Sequence, residues 1–257
     1  MIVSWEITIP ALSGDEPRRA YVYLPEDWEE EGRRYPVLYM FDGQNVFFDE
    51  DATYGKSWGM ADFAEYNDLP VIVAAVESHR GANGERLSEY SPFTVRESGL
   101  GGYVVGRGRT TMEWLVNEFK PLIDAEFPTL PDREHTLIAG SSMGGLMSLY
   151  AVMEYNHVFS RAAALSPSVW FANDKLDRLL CSAYIDPNTV VYMDYGENEM
   201  PNHKGMKRQF TRVVTRLLER GVKLDCRIVP DGDHSEASWE RQIPFFMSTL
   251  LYGIDIE

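Results

Sequence analysis

Five short apolar runs punctuate the chain: YPVLYMF from Tyr35, LPVIVAAVE from Leu69, HTLIAGS from His135, RAAALSPS from Arg161 and TVVYMDYG from Thr189. The first two show no polar–apolar alternation and read as strands buried on both faces. Helical periods fill the gaps. WGMADFAEYND is a short helix candidate. Over 109–127, Met112, Leu115, Phe119, Leu122, Ile123 and Phe127 recur at three- and four-residue steps, with Pro121 expected to kink the helix. Further helices are expected over 144–155, 174–182, 203–220 and 236–251, with a last strand at KLDCRIVP. Ahead of all these, VSWEITIP and RRAYVYLP alternate and read as half-buried strands. This order predicts an α/β chain with a mostly parallel central sheet and helices on both faces. Ligands of such sheets bind at the carboxyl ends of the strands. Residues 77–108 lack a clear period and read as a long loop of the functional or mobile kind.

At 257 residues the chain is expected to be one domain, 1–257, large enough to bury a core without a metal or disulfide. Its two cysteines, Cys181 and Cys226, lie in mostly apolar stretches outside any CxxC and read as free thiols in a reducing compartment. The first residues carry no basic segment followed by an apolar one, and no run nears the ~20 apolar residues of a membrane span. A cytoplasmic location is the expectation. The net charge of −16 disfavours nucleic acid and anionic membranes as partners.

The chemistry centres on Gly140-Ser141-Ser142-Met143-Gly144, a G-x-S-x-G placed between a strand and a helix. A nucleophile on so sharp a turn stands clear of the sheet, and larger side chains two positions away would collide with strand and helix. Helix N–H groups beside Ser142 make the Met143 N–H a candidate oxyanion donor. The second donor is expected from the loop after the third strand, FDGQNVFFD, at the Gln44 N–H. Among His79, His135, His157, His203 and His234, only His234 follows the last strand in VPDGDHSEASW, at the same end of the sheet as Ser142. An imidazole there can take the serine proton and return it to the leaving group. The acid that orients it must lie between Ser142 and His234 in sequence. Asp194, Glu197, Glu199 and Asp233 all compete. No HExxH, close His pair or CxxC supports a metal, and no cofactor is expected.

These segments carry a resemblance. YPVLYMFDGQNVFFD, GERLSEYSP, GSSMGGLMSLYA, LSPSVWF, DYGENE and GDHSEASWERQIP together resemble the Putative esterase family of α/β-hydrolases, nearest its enterochelin-esterase-like and feruloyl-esterase-like branch. The resemblance implies an α/β-hydrolase fold and a serine carboxylic-ester hydrolase, with Ser142 as nucleophile and His234 as base. It also implies an acid a few residues after a glycine, a place Glu199 in GENE matches best, although some relatives work with a serine–histidine pair alone. The expected partner is a small-molecule ester, with a homo-oligomer as the other association open to the chain. Acyl transfer to an acceptor alcohol would use the same residues, and a non-catalytic binding module could share the fold. For substrate contacts, Arg86, Tyr90, Trp170 and Trp239 are the candidates, alongside Phe93, Tyr103 and Phe171 in an aromatic mouth. For Arg86 the competing account is a loop anchored by an Arg–Glu ion pair.

Overall fold

A computed structural model describes residues 1–81, 84–97, 102–199 and 205–255. Ten strands are described: β1 (Ile2–Thr8), β2 (Pro17–Tyr23), β3 (Val37–Met40), β4 (Ile72–Val76), β5 (Val95–Glu97), β6 (Gly102–Val104), β7 (Thr136–Ser141), β8 (Arg161–Leu165), β9 (Val190–Gly196) and β10 (Lys223–Val229). Eight form one sheet in the order β1-β2-β4-β3-β7-β8-β9-β10, and β5 and β6 form a separate antiparallel hairpin. Only β1 and β2 break the parallel run: β1 pairs antiparallel with β2, and β2 with β4. From β4 through β10 every neighbouring pair is parallel.

Alternate residues of the central strands enter different cores, because successive Cβ atoms of a strand point to opposite faces. Val37, Tyr39, Ile138, Ala162 and Val191 join one core with Met112, Phe119, Leu146, Leu176 and Phe210 of the helices on that side. Leu38, Met40, Leu137, Ala163 and Tyr192 join the other with Met60, Ala64, Phe246 and Leu250. Helices therefore cover both faces, and each fully buried Leu, Ile or Phe contributes about 1.5–3 kcal/mol by leaving water.

Three sequence expectations change in detail. The helix over 109–127 is two α-segments, Gly108–Trp114 and Lys120–Glu126, joined by one π-turn at Leu115–Phe119 just before Pro121. The terminal helix is two pieces, Glu236–Glu240 and Ile243–Leu251, with Pro244 in the first turn of the second, where its missing N–H costs nothing. The segment expected as a loop over 77–108 contains the helix Glu85–Glu89 and the β5–β6 hairpin. Cys181 and Cys226 are free, as expected, but exposed. Among the described residues no helix is long and apolar enough to cross a membrane.

The chain order reverses around β3, which has β4 on one side and β7 on the other. Met40 pairs with Ala139. The loops leaving β3 and β7 therefore emerge side by side at the carboxyl edge, the position where open α/β sheets bind ligands.

Candidate active site

Ser142 sits between β7 and the helix Met143–Glu154 with φ 57° and ψ −119°. A non-glycine residue held in such backbone space costs of order 1–3 kcal/mol. Two hydrogen bonds hold it: the Ser142 N–H donates to the Leu165 carbonyl at 2.9 Å, and the Ser168 N–H donates to the Ser142 carbonyl at 3.0 Å. Gly140 is needed for the close approach, since a Cβ there would lie 2.8 Å from the carbonyl carbon of Gly144. Ser141, the neighbouring serine, is buried.

His234 reaches the elbow from the loop after β10. Its Nε2 is 2.9 Å from Ser142 Oγ, and its Nδ1 is 2.5 Å from Glu199 Oε2. Glu199 is 2% exposed, whereas the His234 side chain is 45% exposed, so the pair runs from the interior to solvent. The other carboxylate oxygen, Oε1, accepts the Gly196 N–H at 2.9 Å and lies 2.6 Å from Ser166 Oγ. The two loops are bound together: the Asn198 N–H donates to the Gly232 carbonyl at 2.9 Å and the Glu197 N–H to Val229 at 3.0 Å. Gly196 permits this, because a Cβ there would stand 2.4 Å from the Gly232 oxygen.

The rival carboxylates turn elsewhere. Glu197 accepts the Asp231 N–H, and Asp233 accepts the Ser235 hydroxyl. Asp194 is 1% exposed, accepting the Ser166 N–H at 3.0 Å and the Tyr192 hydroxyl at 2.9 Å. Burial pushes its carboxyl up to about 7, against the opposing pull of those two hydrogen bonds. The other histidines stand apart: His79 meets Glu16, His135 meets Asp132, and His157 packs beside Tyr155. His203 lies outside the described residues.

Met143 is the first residue of its helix, so its N–H has no carbonyl one turn behind it. Gln44 lies in a single 3₁₀ turn, Gly43–Asn45, and its side chain is tied to Ser78 by bonds of 3.0 and 3.1 Å. The β3 loop presses against the elbow: a Cβ on Gly144 would lie 3.1 Å from Phe41 Cβ and 3.5 Å from Asp42 Oδ2.

Three of the aromatic candidates for substrate contact lie buried. Trp239 is 5% exposed and lies behind His234, ring edge to ring face at 5.0 Å, with its Nε1–H donating to Ser166 Oγ at 3.0 Å. Tyr90 is 2% exposed beneath the β3 loop, its hydroxyl accepting the Asp42 N–H and its ring packed edge-on against Phe41. Both rings are drawn inward because a polar tip found a buried partner while the apolar body filled the core. Phe171 is fully buried as well. Arg86 does anchor its loop, but to a different acid: its guanidinium makes a two-pronged pair with Asp42 at 2.5 and 2.6 Å, while Glu89 pairs with Arg18. The Arg86 side chain keeps 34% exposure.

Of the remaining aromatics, Trp170 is half-buried on a cavity of about 440 Å³ shared with Thr94, Arg96, Lys175 and Arg178. Tyr103 is exposed, and Phe93 packs against Tyr150. Ser166, Asp194's buried partner, and Glu236 were not anticipated. Glu236 is 6% exposed, accepts from Asn45, and has its carboxyl pushed up by burial and by Asp42. Among the described residues no group of three or more His, Cys, Asp or Glu is arranged to hold a metal ion.

Known proteins share this arrangement of strands. The structure superposes on an IroE-like serine hydrolase from Shewanella oneidensis with a TM-score of 0.77 at 21% identity, covering 99% of this chain and 82% of that one. The fold is thus of the α/β-hydrolase type. In sequence, the chain is 24% identical over 227 residues to YbbA of Bacillus subtilis strain 168, covering 84% of each. It is 27% identical over 163 residues to the siderophore triacetylfusarinine C esterase of Aspergillus fumigatus, covering 61% of this chain and 53% of the relative. The family model described as "Putative esterase" matches residues 12–247, nearly the whole length, and the chain belongs to that esterase family.

Proposed function

We propose that the chain is a serine carboxylic-ester hydrolase working through an acyl-enzyme. The observation that carries this reading is the continuous line from Ser142 Oγ through His234 to Glu199, at 2.9 and 2.5 Å, with the serine on a strained turn. His234 Nε2 takes the Ser142 proton as Oγ attacks the acyl carbonyl. The Met143 and Gln44 N–H groups are the donors assigned to the developing oxyanion, each worth about 3 kcal/mol by the usual effect of such a donor. His234 then protonates the leaving alcohol. In the second half, water gives its proton to His234 as its oxygen attacks the acyl carbon, and the acid departs as Ser142 regains its proton. Glu199 holds the imidazole with Nδ1 protonated and stabilises the imidazolium that forms.

The substrate class is a small-molecule ester, as it is for the fungal siderophore esterase among its relatives. A fluorophosphonate probe tests the nucleophile directly. Label on Ser142, lost in Ser142→Ala together with p-nitrophenyl acetate hydrolysis, is the expected outcome. Wild-type turnover by Ser142→Ala would overturn the mechanism.

A further inference from the structure

We infer that Ser166 is a positioning residue that aims Glu199 at His234, and that Trp239 sets the direction of its hydroxyl; this rests on the Ser142–His234–Glu199 reading above. The argument begins with what each group is able to give. An indole N–H can only donate, and a serine hydroxyl has one hydrogen. Trp239 Nε1 donates to Ser166 Oγ at 3.0 Å, so the oxygen is already an acceptor on that side. Its own hydrogen is left to point at Glu199 Oε1, 2.6 Å away. That oxygen also receives the Gly196 N–H. One side of the carboxylate is therefore filled by two donors, and Oε2 faces His234 Nδ1. The imidazole must donate from Nδ1, which leaves the Nε2 lone pair facing Ser142 Oγ. The indole thus fixes the direction of the hydroxyl, the hydroxyl fixes the carboxylate, and the ionised carboxylate holds the imidazole in the tautomer the reaction needs.

The position of Ser166 is itself over-determined. Its φ is 42°, in left-handed space unusual for serine, directly past the end of β8. The Asp194 carboxylate clamps its N–H at 3.0 Å, and Tyr192 in turn donates to Asp194. Ser166, Tyr192, Asp194 and Glu199 are each no more than 2% exposed, so water has no access to replace a lost donor. A serine on a strained backbone, bonded at N–H and Oγ to two different buried carboxylates, is more than a turn requires. Trp239 contributes twice, since its ring also supports the face or edge of His234 from behind.

The test uses Ser166→Ala, Trp239→Phe and the double variant of the full chain, with p-nitrophenyl acetate kinetics, fluorophosphonate labelling and proton NMR of the His234 Nδ1–H. Ser166→Ala is expected to lower kcat by roughly ten- to a hundredfold with KM within twofold, and to slow labelling in parallel. The strongly downfield Nδ1–H signal should broaden or move upfield. Trp239→Phe keeps an aromatic ring but removes the donor, and a smaller fall in kcat is expected. The double variant should fall no more than threefold below Ser166→Ala, because the two groups form one line of hydrogen bonds. Should Ser166→Ala fail to fold, Trp239→Phe with its kcat and Nδ1–H signal decides alone. Unchanged kcat and an unchanged signal in the folded variants, or losses that multiply, would overturn the inference while Ser142 still labels. Absence of label on Ser142 in the wild type would overturn the underlying triad, and this inference with it.

Discussion

Glu199 and Asp42 are both buried carboxylates at the carboxyl edge of one sheet, 2% and 4% exposed, yet they are held in opposite ways. Asp42 lies under a guanidinium that contacts both its oxygens at 2.5 and 2.6 Å. A guanidinium does not release its proton in a protein, so that charge is cancelled at all times. Among the described residues, Glu199 meets a hydroxyl, a backbone N–H and an imidazole. Those donors are neutral, and on the proposed mechanism the carboxylate meets a cation when His234 takes a proton. The lesson is that burial by itself does not mark a carboxylate for chemistry. What distinguishes Glu199 among the described residues is that no guanidinium or ammonium pairs with it, which on the proposed mechanism leaves its field available to a transient charge. Asp42, by contrast, fixes the backbone of the β3 loop on which Gln44 stands.

The comparison breaks most visibly at Glu199. Glu199→Gln should lower kcat about a thousandfold with KM nearly unchanged, because an amide can present N–H to Nδ1 and favour the wrong tautomer. Glu197→Gln, two residues away, should lose less than threefold in the same assay. Equal and small losses in both would mean that Ser142 and His234 act as a pair. Arg86→Ala comes next. It strands the Asp42 carboxylate, and after discounting for a guanidinium 34% exposed the cost is about 2 kcal/mol. Thermal unfolding should show Tm lower by roughly 5 °C, with kcat reduced less than tenfold. A raised KM at unchanged Tm would show instead that Arg86 grips the ester.

The last test sharpens the comparison through a third carboxylate, Asp194, which among the described residues accepts from neutral donors and meets no imidazole. Burial raises its carboxyl to about 7 in the folded chain, against about 3.9 when unfolded. Between those values the folded state keeps a proton that the unfolded state has lost, so stability falls as pH rises through the window. Asp194→Asn removes that titration. Its stability relative to wild type should therefore climb from pH 4.5 to pH 8 in urea denaturation, with the rise ending near pH 7. A difference independent of pH would mean that Asp194 is ionised throughout.

The parallel sheet was legible in sequence because buried strands must be apolar along their whole length, as at Val37–Met40 and Ile72–Val76. The approach of His234 to Ser142 was legible because chain order constrains where loops emerge, whereas Glu199 stood out from its three rivals through the family resemblance alone. The inward turn of Tyr90 and Trp239 was not. Each aromatic has an apolar body and a polar tip, and whether the tip meets water or a buried partner depends on residues far away in sequence: Asp42 for one, Ser166 for the other. Ser166 was equally hidden, since nothing in LSPSVW signals a positive φ at a serine. The Arg86–Asp42 pair joins residues 44 positions apart, while the nearer Glu89 is claimed by Arg18.

The strained turn at Ser142 has a consequence in time. Its unfavourable dihedrals belong to the backbone and are present with or without an ester. The hydrogen bonds to Leu165 and from Ser168 that hold them belong to the folded backbone. The distortion is thus incurred once, when the chain folds, and no encounter with a substrate has to repeat it. On the proposed mechanism a newly arrived ester meets a hydroxyl already standing in place, held there by the folded sheet.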